Sequence, residues 1–222
     1  MQPVVQPVPL AGEHASWLLR LEQKLSETTW SKDIQLIAEK LAANVPLDVD
    51  DGMVLYNHAD LHEVGALAHA VREARFGQQA FFNSNVHINQ TNMCVLACRF
   101  CAFRRSPRAE DAYAMSIEEY LADLANYAHA IDEVHSVGGL HPEWDVSHYE
   151  ELFKRVSETY PHLSIKALTA VEIKHLAQRS SITTREVLSR LRDAGLTSIP
   201  GGGADILDDG GRAIISQGSE CS

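Results

Sequence analysis

The chain has 222 residues, 45% of them hydrophobic and 22% charged, which is the composition of a globular protein with a sizeable core. A formal net charge of −11 and the lack of a basic tract argue against a nucleic-acid-binding surface. The N-terminus lacks a signal-peptide pattern and no apolar run approaches the ~20 residues of a membrane span, so no membrane association is expected.

The first part of the chain is predicted to be helical. Residues 1–12 are rich in proline and are expected to form a disordered tail. From 13 to 82, apolar residues recur at helical spacing, for example at Trp17, Leu21 and Leu25. We interpret 13–82 as an N-terminal helical cap on a larger domain, with no visible chemistry of its own.

Beyond residue 82, strand and helix signals alternate. Repeated β–α units of this length predict a parallel sheet with helices outside it, and therefore an α/β fold. Helix starts are predicted at three capping patterns, namely 116–119, 147–150 and 183–186. Strands are predicted at 86–92, 133–138, 163–169 and 196–200.

The first predicted strand runs into a loop of three cysteines. Cys94, Cys98 and Cys101 have the spacing C-x3-C-x2-C, Phe100 directly precedes the third, and Cys221 is the chain's one other cysteine. Three thiolates in one loop can hold three irons of a [4Fe–4S] cluster and leave the fourth iron open to a small molecule. Zinc would need a fourth ligand from elsewhere, and a disulfide framework needs dispersed cysteines in a secreted chain. The cluster is the favoured interpretation, and its reduced thiols indicate a cytoplasmic protein.

Unusual residues also follow the other predicted strands. They are Gly138–Pro142 after the second, Thr169–Glu172 after the third, and a glycine triplet, 201–203, with Asp205 after the fourth. Ligands bind beyond the carboxyl ends of parallel strands. We therefore expect these segments to converge with the cysteine loop on one site.

The motifs together resemble the radical S-adenosylmethionine (SAM) superfamily and, within it, the aminofutalosine synthase family. The stretches that carry the resemblance are Asn83-Ser-Asn-Val-His-Ile-Asn-Gln-Thr-Asn-Met-Cys94, Gly138-Gly-Leu-His-Pro142, Lys166-Ala-Leu-Thr-Ala-Val-Glu-Ile173 and Pro200-Gly-Gly-Gly-Ala-Asp205. The resemblance covers about residues 50–216. It implies a (β/α) TIM-type barrel, of which about four parallel strands are present in 83–222.

The resemblance also implies roles for individual residues, although it names no catalytic side chain. Cys94, Cys98 and Cys101 would hold a [4Fe–4S] cluster, and SAM would chelate the open iron. The implied SAM contacts are Phe100, Gly138, Gly139 and Asp205. The implied substrate contacts are His141, Thr169 and Glu172. Simpler alternatives stay open: loop packing for Phe100, a strand-end turn for the glycines, a surface position for His141, and a helix cap for Thr169 and Glu172.

The family's reaction defines the expected substrate and partners. Cleavage of SAM gives a 5′-deoxyadenosyl radical that adds to 3-[(1-carboxyvinyl)oxy]benzoate, and the product is 6-amino-6-deoxyfutalosine in menaquinone biosynthesis. The enzyme needs a small-molecule substrate and a flavodoxin- or ferredoxin-like electron donor. The related dehypoxanthine futalosine cyclase and deazaflavin-cofactor synthases are alternatives, and a non-catalytic metal-binding or interaction protein is an alternative of another class.

The sequence departs from the family pattern near its C-terminus. Radical SAM barrels use at least six strands, whereas four are predicted here, and 210–222 starts like the family and then ends. An open parallel sheet also leaves an unpaired edge. We therefore expect a truncated chain that holds the first half of the barrel, with its cluster ligands intact and an incomplete active site.

Overall fold

The computed structural model describes residues 11–201 and 208–215. The chain divides into two compact units between Phe82 and Asn83. The predicted SAM contact Asp205, two of the three glycines before it, and Cys221 lie outside the described residues. Most of the predicted N-terminal tail lies outside them as well, while its last two residues already belong to the first helix.

The first unit consists of helices packed around their own apolar core. The helices are α1 (Ala11–Ser26), α2 (Lys32–Ala42), α3 (Val49–Asn57) and α4 (Leu61–Phe76). The predicted stripe of Trp17, Leu21 and Leu25 is buried against Ile34 and Leu67. The apolar side chains that recur at helical spacing in this region therefore form a packed face.

The second unit is built on a parallel sheet, as predicted. Its described strands lie along the sheet in the order in which they follow one another in the chain, and all pairs are parallel. Each strand is shorter than predicted, because the residues beyond its carboxyl end leave the sheet and form the loops of the site. The strands are β1 (Asn85–His87), β2 (Glu133–Ser136), β3 (Ser164–Ala167) and β4 (Leu196–Ser198).

The helices of this unit begin at side-chain caps. Ser116 and Thr183 cap the helices that begin at Ile117 and Thr184, as the patterns predict. The predicted helix start at Ser147 is wrong, because the carboxylate of Asp145 accepts the Ser147 N–H at 2.9 Å and the helix begins at Val146. The helices are α5 (Ile117–Ala125), α6 (Val146–Thr159), α7 (Ala170–Ser180), α8 (Thr184–Asp193) and α9 (Asp209–Ile215).

The two faces of the sheet differ in polarity. Val134, Ile165 and Ala167 are buried in one core with apolar side chains of α5 to α8. The alternate residues of the same strands have the opposite character and include Glu133, His135 and Lys166. None of the helices in the described ranges is long and apolar enough to cross a membrane.

The contribution of the second unit's core to stability can be tested by substitution. Leu152 on α6 is 1% exposed within this core, so Leu152→Ala should lower the free energy of unfolding by about 2–5 kcal/mol through lost burial and a cavity. Urea unfolding followed by circular dichroism measures this change. Leu188→Ala, at a side chain that is 39% exposed on α8, is the control. Equal losses in both variants would contradict the assigned core.

Candidate functional site

The cysteine loop leaves the sheet after β1 and is closed at its base by main-chain hydrogen bonds. The Arg105 N–H donates to the Asn92 carbonyl at 2.7 Å, and the Cys94 N–H donates to the Arg105 carbonyl at 3.1 Å. Cys94, Cys98 and Cys101 are half-buried thiols within this closed loop. The predicted ligands therefore share one short segment with fixed ends.

Arg105 also organises the loop through its side chain, a role that sequence reasoning missed. Its Nη1 donates to the carbonyls of Ala102, Phe103 and Arg104 at 2.9, 3.3 and 3.0 Å, and its Nε bonds the Asp111 carboxylate at 2.5 Å. A guanidinium has five donors and can bind several carbonyls at once. No local pattern marks this arginine, because most of its acceptors are main-chain atoms.

Asn92 fixes the entry to the loop and was likewise not predicted as a site residue. Its side chain accepts the Tyr113 N–H at 2.8 Å and donates to the Asp111 carbonyl at 2.8 Å. Thr91 donates its hydroxyl to the Tyr113 carbonyl at 2.7 Å. The sequence signal that could have found these residues is a run of polar side chains directly after a strand. The structure shows that these side chains are buried.

The loop after β2 lies directly against this entry segment, as the predicted convergence requires. The Gly139 N–H donates to the Thr91 carbonyl at 2.9 Å, and the Val95 N–H donates to the Leu140 carbonyl at 3.0 Å. A Cβ on Gly139 would lie 2.1 Å from the Met93 carbonyl oxygen, and one on Gly138 would lie 2.9 Å from that of Thr91. Glycine is needed at 139 because two main chains approach closely there.

Glu172 joins the loop after β2 to the loop after β3. Its carboxylate accepts the Gly138 N–H at 3.0 Å and the Thr169 N–H at 2.7 Å, while the Thr169 hydroxyl accepts the Glu172 N–H at 3.4 Å. The last two bonds form a capping box that begins α7. The cap is thus the observed role of Thr169 and Glu172, and contact with a substrate stays a prediction.

The buried carboxyl of Glu172 has a perturbed acidity. Burial raises the pKa of Glu172 to about 7, and hydrogen bonds from Gly138 and Thr169 oppose that rise. A carboxyl with such a pKa changes charge near neutral pH. The tether between the two loops is therefore sensitive to protonation.

His141 is buried in a stack of rings rather than exposed on the surface. Its ring lies 4.2 Å from that of Trp144, and the Trp144 ring lies 3.9 Å from the ring of His148, which is on α6. The Nδ1 of His141 accepts the Glu143 N–H at 3.2 Å. Burial lowers the pKa of His141 and lowers the pKa of His148 to about 4, so both rings are neutral at pH 7.

His141 and Glu172 belong to one narrow cleft, together with Gly139, Trp144 and Tyr149. The structure thus brings five of the predicted residues together, counting Gly138 and Thr169 through their bonds to Glu172. Phe100 is 51% exposed and stands apart from this cleft on the cysteine loop. Its predicted contact with adenine stays a prediction.

The three loop cysteines are not gathered around one point. Within 11–201 and 208–215, no three histidine, cysteine, aspartate or glutamate side chains are arranged as a metal-binding group. Metal ligands commonly reach their final geometry only when the metal binds. The assignment of Cys94, Cys98 and Cys101 as cluster ligands therefore stays a prediction.

A parallel β/α sheet whose strand-end loops converge is the architecture of β/α barrels and of open α/β sheets, which bind ligands and cofactors at the carboxyl ends of their strands. The family model described as the radical SAM superfamily matches residues 88–219, more than half of the chain. The chain belongs to the radical SAM superfamily.

Known proteins similar to the chain agree with this membership. Aminodeoxyfutalosine synthase of Streptomyces coelicolor is 39% identical over 173 residues, which are 78% of this chain and 45% of that protein. Cyclic dehypoxanthine futalosine synthase of the same organism is 33% identical over 193 residues, 85% of this chain and 48% of that protein. The chain spans about half the length of the curated relatives it matches.

A solved structure confirms the predicted fold class. The crystal structure of HydG, a maturase of the [FeFe]-hydrogenase, matches with a TM-score of 0.53 at 16% identity, over 83% of this chain and 49% of HydG. At this identity the likeness concerns the fold alone. The chain is an α/β protein with part of a radical SAM barrel, including four parallel strands.

Superfamily membership implies an iron–sulfur cluster and SAM. The donor chemistry of the cysteine loop fits such a group, since three half-buried thiols lie within eight residues. The glycine pair next to Met93 and Cys94 fits as well, because it leaves no side chain between the two loops. Cys94, Cys98 and Cys101 would hold the cluster.

The close approach of Gly139 predicts the effect of one added methyl group. Gly139→Ala should push the Met93 carbonyl away and lower the free energy of unfolding by about 1–3 kcal/mol through overpacking. The change is measured by urea unfolding. Gly65→Ala, in open space on α4, is the control and should raise stability by up to about 1 kcal/mol. A neutral Gly139→Ala would contradict the contact.

The acidity of Glu172 predicts a dependence of stability on pH. Since its pKa in the folded protein is about 7, above the ordinary 4.5, the folded state binds the proton more tightly than the unfolded state. The free energy of unfolding should therefore fall as the pH rises from about 4.5 to about 7, and level off above that.

Glu172→Gln should flatten this part of the curve, measured by urea unfolding at a series of pH values. The exposed carboxylate variant Glu151→Gln on α6 is the control and should keep the wild-type slope. An unchanged slope in Glu172→Gln would rule out Glu172 as its source.

Proposed function

We propose that the chain is the part of an aminofutalosine synthase that carries its cluster loop. The reaction would release methionine from SAM and add the 5′-deoxyadenosyl group to the alkene of 3-[(1-carboxyvinyl)oxy]benzoate. Rearrangement with loss of the alkene's carboxylate would then give 6-amino-6-deoxyfutalosine in menaquinone biosynthesis. The observation that carries the proposal is the contact of the cysteine loop with the Gly138-Gly139 pair at one edge of the parallel sheet. When bound, a [4Fe–4S] cluster would supply the electron that cleaves SAM.

The residues of the chain would act by binding and positioning. Cys94, Cys98 and Cys101 would leave one iron open because the loop offers no fourth thiolate. The main chain at Gly138 and Gly139 would receive the amino end of SAM, and Phe100 would lie along the adenine. Asp205 would add a polar contact, and His141, with its neutral ring, would face the substrate.

The identity to relatives favours the synthase over the cyclase. The chain is 39% identical to an aminodeoxyfutalosine synthase and 33% identical to a cyclic dehypoxanthine futalosine synthase. Cyclase activity and deazaflavin-cofactor synthesis are the alternatives, since FO synthase of Mycobacterium tuberculosis is 38% identical over 189 residues. All of these candidates use the same cluster loop, so the products of the reaction distinguish them.

The proposed enzyme is cytoplasmic and takes its electron from a flavodoxin- or ferredoxin-like donor. The cysteine loop presents Val95 and Phe103 at 50% and 40% exposure. Exposed apolar side chains beside a redox centre suit a transient protein contact. The donor would reach the cluster without crossing the core.

Product analysis tests the proposal. The chain, reconstituted anaerobically with iron and sulfide, should contain about four irons. With SAM, dithionite and the enol-ether substrate it should form 6-amino-6-deoxyfutalosine, which would also show that the expected incompleteness of the active site does not prevent turnover. Cys98→Ser should abolish cluster and product, whereas Cys221→Ser, outside the loop, should keep both.

Three outcomes would overturn the proposal. Formation of 5′-deoxyadenosine without an adduct, together with turnover of dehypoxanthine futalosine, would favour the cyclase. Bound zinc without sulfide would favour a non-catalytic metal protein. A loaded cluster that fails to cleave SAM would exclude the reaction for this chain.

A further inference from the structure

The sheet has a polar face that the functions above do not use. We define the polar face as His87, Asn89, Glu133, His135 and Lys166. His87, His135 and Lys166 form one row across β1, β2 and β3. His87 is the register partner of His135, and His135 is the register partner of Lys166. Strands of parallel sheets usually carry apolar side chains on both faces. Ionisable side chains in such a row therefore point to a ligand.

Unpaired atoms concentrate on this face. Among the described residues, four buried side-chain nitrogen or oxygen atoms make no hydrogen bond, and three of them are Asn89 Oδ1, Glu133 Oε1 and His135 Nε2. Asn89 continues the alternation of β1, because the next residue, Gln90, bonds Ser136 and Tyr149 on the core side. Buried polar atoms in native proteins nearly always have a hydrogen-bond partner, so a cluster of unpaired atoms indicates that a partner is missing.

The polar face offers Lys166 and His135 as hydrogen-bond donors to a ligand, while the charge of Lys166 is balanced by that of Glu133. Lys166 Nζ lies 3.9 Å from Glu133 Oε1, which is an ion pair but too long for a hydrogen bond. The rings of His87 and His135 stack at 4.6 Å with an interplanar angle of 9°. Burial lowers the pKa of His135, as do the nearby His87 and Lys166, so a neutral ring remains. The ammonium of Lys166 is one available donor, and Nε2 of His135, which has no hydrogen-bond partner among the described residues, is a second one in the tautomer that carries its proton there.

We propose that Lys166 and His135 bind a carboxylate of the substrate on the polar face. The ammonium and the Nε2–H of the two residues donate to the carboxylate oxygens, and His87 holds the ring of His135 in place by stacking. Glu133 orients Lys166 and opposes the bound anion. This inference rests on the proposed function, because its substrate, 3-[(1-carboxyvinyl)oxy]benzoate, carries two carboxylates.

Binding measurements test this assignment separately from product formation. Calorimetry on the reconstituted chain with SAM gives the Kd of the enol-ether substrate. Lys166→Met and His135→Gln should each weaken binding by roughly tenfold or more, as expected for a lost charge-assisted hydrogen bond. Glu133→Gln should tighten binding, a direction that a merely misfolded variant would not produce. Lys154→Met, on the exposed side of α6, should leave the Kd unchanged.

The two monomethyl esters of the substrate identify the carboxylate. One ester should bind the wild-type chain roughly tenfold more weakly, with no further loss in Lys166→Met. Unchanged affinity in Lys166→Met, no binding of the substrate to the wild-type chain, or equal affinity of both esters and the parent acid would overturn the inference. A loss of SAM affinity in place of substrate affinity would overturn it as well. Adduct formation by the wild-type chain tests the proposed function independently of these binding measurements.

Discussion

The carboxylate of Glu172 touches two strand-end loops at once. It accepts the N–H of Thr169 at the start of α7 and the N–H of Gly138 after β2. The next residue, Gly139, bonds the Thr91 carbonyl three residues before Cys94. The position of the cysteine loop is thus coupled to a buried acid on another element, and losing that acid would leave two N–H groups without their acceptor at about 1–3 kcal/mol each.

Close backbone contact gives this arrangement its rigidity. Gly139 has no room for a Cβ because the Met93 carbonyl occupies that space. On the other side of the loop, the guanidinium of Arg105 gathers three carbonyls. The chain therefore holds both ends of the cysteine loop through hydrogen bonds and close contacts and leaves its thiols half-buried.

Local signals predicted much of the fold, and long-range contacts account for what they missed. The parallel sheet and the caps at Ser116 and Thr183 were predictable because alternation and capping are read within a few residues. The capping role of Glu172 was foreseeable for the same reason, but its bond to Gly138 spans 34 residues. The row of His135 and Lys166 was missed because it depends on strand register, although the alternating polarity of β2 and β3 was visible in the sequence. The roles of Phe100 and Asp205 remain predictions.

The account depends on one iron of a three-cysteine cluster being open to SAM next to the glycine pair. Electron paramagnetic resonance of the reduced, reconstituted chain tests this most directly. Addition of SAM should change the g-values of the cluster, and SAM labelled with ¹⁵N at its amino group should show coupling to the cluster spin. A spectrum that SAM leaves unchanged would contradict an open iron at this site.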